Sequence, residues 1–139
     1  MIVDSSALVA IILRETHNTH LRDAIFSAKS AAIPATAMTE VQLVIGGRGQ
    51  QYLAAAAALF EMLLAEGVEV VAFDQRHADI TAIARSRYGR GNGTGGKLNF
   101  GDLMVYAIAK ERGEPVLCTG RDFASTDLEI HPASRLDPA

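Results

Sequence analysis

Residues 1–8 read Met1-Ile2-Val3-Asp4-Ser5-Ser6-Ala7-Leu8, a short apolar run that stops on a carboxylate. Ile2 and Val3 are β-branched and favour a pleated, buried backbone, so the run predicts a first strand ending at Asp4. Ser5 is a good N-cap residue for the apolar helical run that begins near Ala7. Strand, acid and helix start, in that order, put Asp4 at the carboxyl end of a strand. In open α/β sheets this is the edge where ligands and metals bind. Taken alone, Asp4 also reads as a helix cap and nothing more. Three further acids at comparable places along the chain favour the site.

Outward from this stretch, helices and strands alternate. Leu8, Ile11 and Ile12 carry a first helix to about Arg14, and a second from about Asn18 sets Leu21 and Ile25 on one face. Residues 31–34 form a second strand, stopped by Pro34, which cannot donate to a ladder. Thr36 or Thr39 is then the expected cap of a helix with Glu40 in its first turns, where the positive end of the dipole also favours a carboxylate. Gly46, Gly47 and Gly49 close it, and residues 50–66 form another helix, rich in alanine. Residues 68–73 read as the third strand, with Asp74 capping a helix to about Tyr88. Asn99 caps the next, with Asp102 in its first turn and Gly113 at its end. Residues 116–118 make a fourth strand, Asp122 lies just beyond it, and 128–131 read as a short fifth. No internal repeat and no linker interrupts the pattern. The prediction is one α/β domain over 1–139, three layers deep, with a mostly parallel central sheet of four to five strands flanked by helices.

The totals narrow the class. At 139 residues one core buries about two-thirds of the unfolded surface without staples. A single cysteine, Cys118, excludes an internal disulfide and sits in an apolar run, which reads as core in a reduced, cytoplasmic setting. The apolar stretch 7–13 is too short to cross a bilayer, and no basic leader precedes it. The net charge of −3 argues at first against a nucleic-acid partner. If four carboxylates gather at one site, however, the remainder is slightly basic, and Arg85, Arg87, Arg90 and Lys97 crowd around one glycine-rich segment, 89–97. That segment reads either as a mobile solvated loop or as a contact for RNA phosphates. His17 and His20, three apart, lack further ligands nearby and read as exposed polar residues.

Asp4 and Asp122 follow strands, whereas Glu40 and Asp102 open helices, and a parallel sheet brings all four to one edge. Converging carboxylates repel, so they protonate, splay or bind a hard divalent cation, Mg²⁺ or Mn²⁺. Asp127 stands five residues past Asp122, just before Leu128. A turn hydrogen bond explains it without metal, and the spacing favours Asp122 for the site.

Together, Ile-Val-Asp4-Ser-Ser-Ala-Leu, Glu40 in its helix, Asn99-Phe-Gly-Asp102 with Tyr106-Ala-Ile-Ala109, and Thr119-Gly-Arg-Asp122-Phe-Ala-Ser-Thr-Asp127 resemble a PIN domain of the VapC toxin type. Each motif alone is weak, but the set runs over nearly the whole chain in the right order. The resemblance implies a Mg²⁺-dependent endoribonuclease that cuts structured RNA of the tRNA or rRNA class and is silenced by a VapB-type antitoxin. It implies that Asp4, Glu40, Asp102 and Asp122 are the catalytic metal ligands, that Ser6, Asn99 and Thr119 support them, and that the protein self-associates. A face containing Leu59, Met62 and Leu63 is the expected contact. The glycine-rich insert is longer than the resemblance requires.

Other classes fit less well. Gly91 to Lys97 imitates a phosphate-binding loop, but Leu98 replaces the hydroxyl residue that should hold Mg²⁺, and the loop follows a helix instead of the first strand. A phosphatase would need an acid where Ser6 stands. A phospho-receiver-like or phosphate-transfer α/β domain with an acidic metal site would need an acidic pair at the first strand and a phosphorylated acid near the third, where Phe73-Asp74 offers too little.

Overall fold

In the computed structural model, which describes residues 1–135, four strands form one parallel sheet. They are β1 (Ile2–Val3), β2 (Ala32–Pro34), β3 (Glu69–Val71) and β4 (Val116–Leu117). Six helices among the described residues connect and flank them: α1 (Ser5–Ile12), α2 (Asn18–Ser27), α3 (Ala35–Gly46), α4 (Gln50–Ala65), α5 (Gln75–Tyr88) and α6 (Phe100–Arg112). The strand order is β3-β2-β1-β4, with Ile2 opposite both Ala32 and Val116. The chain steps outward from β1 to β3 and then crosses back to place β4 on the far side of β1. The order therefore reverses between β1 and β4, and their carboxyl ends border the crevice where this class of sheet binds ligands.

The strands are short but deeply buried. Ile2, Val3, Ile33, Val116 and Leu117 have no solvent exposure, and Leu8 of α1 and Ile108 of α6 close over them. Cys118 belongs to this core, where burial pushes its thiol up to about 12, so it is unreactive at neutral pH.

Several expectations need correction. The fifth strand over 128–131 reduces to one parallel bridge, Ile130 to Val116, because only that position comes into register before the chain turns away. Asp4, not Ser5, caps α1, since its carboxylate reaches the amide of Ser6. Neither Thr36 nor Thr39 caps α3. Pro34 passes straight from β2 into the helix, and the Thr39 hydroxyl donates back to the Ala35 carbonyl at 3.2 Å. Leu59 and Leu63 face inward and pack in the chain's own core, leaving only Met62 of the expected self-association face exposed. The 89–97 segment carries hydrogen bonds of its own. Asn92 Oδ1 accepts from the amides of Thr94 and Gly96, Asn92 Nδ2 donates to the Ser86 carbonyl, and Gly89 pairs with Leu98. Gly96 is required there because a Cβ would run into the backbone of Tyr88 and Gly89. The segment joins α5 to α6, which removes the phosphate-loop reading.

Candidate active site

Burying a charge is costly without a partner, so the buried polar residues are informative. Among the described residues they are Asp4, Ser5, His77 and Asp102, and three of these four surround the β1–β4 crevice. Asp4 leaves β1 directly into the cap of α1. Its Oδ2 accepts from the Ser6 amide at 3.0 Å and from the Ser6 hydroxyl at 2.5 Å. Its Oδ1 is buried and has no hydrogen-bond partner among the described residues. One oxygen therefore does the capping and the other is left for a ligand. Ser6 Oγ in turn accepts the Thr119 amide at 3.0 Å, which ties the ends of β1 and β4 together across the crevice. Thr119 thus reaches the Asp4 cap through its backbone amide.

Asp102 is the third residue of α6 and is 8% exposed. Asn99 holds it in a reciprocal capping box: Asn99 Oδ1 accepts the Asp102 amide at 2.9 Å, and Asp102 Oδ2 accepts the Asn99 amide at 3.1 Å. Between them, Gly101 lies against Glu40. A Cβ at Gly101 would collide with Glu40 Oε2, so only glycine lets α3 bring its carboxylate this close to α6. The other oxygen of Glu40, Oε1, accepts the hydroxyl of Ser5. In the sequence Ser5 reads as a cap and Gly101 as a residue without a role. The contact spans α1, α3 and α6, and no local pattern encodes it.

The acids act on one another. Burial, with the negative charges of Asp4, Asp122 and Glu40 adding to it, pushes the carboxyl of Asp102 up to about 7. Burial likewise raises Asp4, with Glu40 as a further cause and the Ser6 hydrogen bonds opposing. Asp122 is exposed at the rim, and its charge reaches Asp102. Asp127 is occupied elsewhere: it accepts from the Tyr106 hydroxyl at 2.7 Å and from Lys110 Nζ at 2.6 Å. Among the described residues no three acids close on a single point, although the charges of Asp4, Glu40 and Asp122 all reach Asp102. An unpartnered buried carboxylate oxygen in mutually repelling acidic surroundings suits a hard cation. Mg²⁺ takes one or two carboxylates directly and keeps waters on its other positions, so it does not require three acids to converge on one point.

Arg85 and Arg87 end α5, while Arg90 and Lys97 sit on the segment that follows. All four are exposed, and none makes an ion pair among the described residues. His17 and His20 are exposed, as expected.

The PIN domain family matches residues 1–129. The chain belongs to that family. Within it, this PIN domain is 40% identical over 132 residues to Ribonuclease VapC36 of Mycobacterium tuberculosis, covering 94% of this chain and 92% of the relative. It is 36% identical over 129 residues to Ribonuclease VapC42 of the same species, covering 92% and 96%. Among solved structures it resembles M. tuberculosis VapC20, described as a sarcin-ricin loop cleaving toxin, with a TM-score of 0.71 at 20% identity, over 94% of this chain and 98% of that one. FitAcB from Neisseria gonorrhoeae superposes with a TM-score of 0.69 at 21% identity, over 96% and 98%. These PIN domain structures share the fold, and the sequence relatives place the chain among the VapC ribonucleases.

Proposed function

We propose that this PIN domain is a Mg²⁺-dependent endoribonuclease, with Mn²⁺ as a substitute, and the toxin of a VapBC-type pair. It cuts structured RNA of the tRNA or rRNA class in the cytoplasm. The observation that carries the reading is the unpartnered, buried Oδ1 of Asp4 in a crevice that also draws in Glu40, Asp102 and Asp122.

Asp4 and Asp102 would hold the cation, with Glu40 and Asp122 acting directly or through water. When bound, Mg²⁺ stabilises charge on the phosphodiester and makes water more acidic. The protein's part is positioning. Asn99 fixes the rotamer of Asp102, Ser6 fixes Asp4, and Ser5 with Gly101 fixes Glu40. Arg85, Arg87, Arg90 and Lys97 meet the phosphates that flank the cleavage point.

A VapB-type antitoxin silences the cleft by inserting a cationic side chain, since a guanidinium matches carboxylates bidentately. In support, the solved neighbours include a VapBC complex from Salmonella typhimurium bound to DNA. The toxin is a homodimer in this reading. Incubating the antitoxin-free protein with total RNA, with Mg²⁺ or with chelator, and mapping new 5′ ends tests it. Discrete Mg²⁺-dependent ends are expected, and an unchanged RNA pool in both conditions contradicts the reading.

A further inference from the structure

Between α5 and α6 lies a cavity of about 350 Å³ lined by Phe73, Thr81, Arg85, Phe100, Leu103 and Met104, with two alanines completing the wall. Its lining is apolar apart from Thr81 and Arg85, and Arg85 is the only charged residue in it. Phe100 is 80% exposed, more than any other large apolar side chain among the described residues. It is the first residue of α6, two positions before Asp102, a rise of about 3 Å along the helix. Phe100, Leu103 and Met104 stand at helical spacing on one face, while Gly101 turns toward Glu40. The cavity and the acids therefore flank the same helical turn, within a helix diameter of about 10–12 Å.

Resting on the nuclease reading, we propose that this cavity is a nucleobase subsite. It takes one unstacked base of the RNA beside the scissile bond, stacked on Phe100, with Arg85 against the neighbouring phosphate. An exposed aromatic face is a sequence-tolerant platform for a base. The rim points to a ligand that is both flat and anionic: Arg85 stands in the cavity wall, exposed and without an ion-pair partner among the described residues. An apolar protein segment seated here would leave Arg85 without a counter-charge. A nucleotide supplies ring and charge together.

The test compares fluorescence anisotropy of a short labelled oligoadenylate with that of an abasic oligomer carrying the same phosphates, in chelator so that nothing is cut. The wild type should prefer the oligoadenylate. Phe100→Ala and Phe100→Leu should both lose that preference, with oligoadenylate binding weaker by about 5–150-fold, the usual range for removal of one stacked base. Phe100→Tyr should keep it, and circular dichroism should be unchanged throughout. Full preference in Phe100→Leu would mean an apolar occupant and overturn the proposal. So would unchanged RNA binding by Phe100→Ala accompanied by failure of antitoxin binding or of self-association, which would assign the cavity to a protein. A wild type that cleaves in Mg²⁺ but shows no base preference removes only the subsite; one that neither binds nor cleaves removes the nuclease reading with it.

Discussion

Ser5, buried at the first position of α1, donates its hydroxyl hydrogen to Oε1 of Glu40 on α3, thirty-five residues later in the chain. Gly101 holds the opposite side of the same carboxylate. Glu40 is thus seated between two residues that have no charge of their own.

Ser5→Ala should lower cleavage while costing about 1.5–3 kcal/mol of stability, the scale of one hydrogen bond to a charged group. Gly101→Ala should do the reverse in proportion. The added methyl meets only the end of a flexible side chain, so the fold survives, but Glu40 is displaced and cleavage falls at least about tenfold, as misplaced catalytic groups do. Urea midpoints alongside kcat/KM check both, and wild-type cleavage by Gly101→Ala would show that Glu40 needs no seat.

Stability without metal should depend on pH in a direction set by Asp102. Its carboxyl titrates near 7 in the fold, well above its value of 3.8 in the open chain. The folded state therefore keeps a proton that the unfolded state has released, so stability is full below about 4 and declines as pH rises to about 7. The full shift corresponds to at most about 4 kcal/mol, reduced by solvent screening at the cleft edge. Denaturant melts in chelator at acid and alkaline pH should show this slope, Asp102→Asn should flatten it, and Mg²⁺ should restore the alkaline loss. A slope unchanged in Asp102→Asn would assign it to other groups.

Asp122 and Asp127 should separate cleanly. Asp127 ties Tyr106 and Lys110 of α6 to the segment that follows β4, so Asp127→Asn should cost about 1 kcal/mol and leave cleavage per folded molecule intact. Asp122 is exposed and acts on Asp102 through its charge, so Asp122→Asn should keep its stability and weaken Mg²⁺-dependent cleavage strongly. The opposite pattern in paired melts and cleavage assays would exchange the two assignments.

Arg90 and Lys97 predict a salt effect. Replacing both by Ala should weaken RNA binding and reduce the slope of log K against log salt by roughly 1 for each phosphate that is no longer neutralised. An unchanged slope would place the RNA backbone elsewhere.

The parts of this site that were legible in the sequence are those written locally. The run into Asp4 and the Asn99-to-Asp102 capping box each lie within a few residues, and their periodicity and cap chemistry identify them. The strand order that puts β4 beside β1 is tertiary, as is the packing of α1 on α3 that pairs Ser5 with Glu40. His77 shows the same limit. It completes the capping box of α5 by accepting the Asp74 amide at 2.9 Å, yet its complete burial against Phe73 and Glu111 leaves no periodic trace. Leu59, Met62 and Leu63 share a helical stripe in the sequence, and only the fold decides that Leu59 and Leu63 turn inward while Met62 stays exposed. The hydrogen-bonded turns of 89–97 centre on Asn92, one residue in a composition that otherwise signals disorder.

Cleavage of total RNA by Asp102→Asn beside the wild type, at matched Mg²⁺ and matched folded fraction, tests the central claim most directly. The amide keeps an oxygen for the Asn99 hydrogen bond and so keeps the fold, but it removes the charge that a divalent cation needs. A carboxylate-held metal centre predicts a folded protein that yields none of the wild-type 5′ ends, whereas the same ends at the wild-type rate would contradict it.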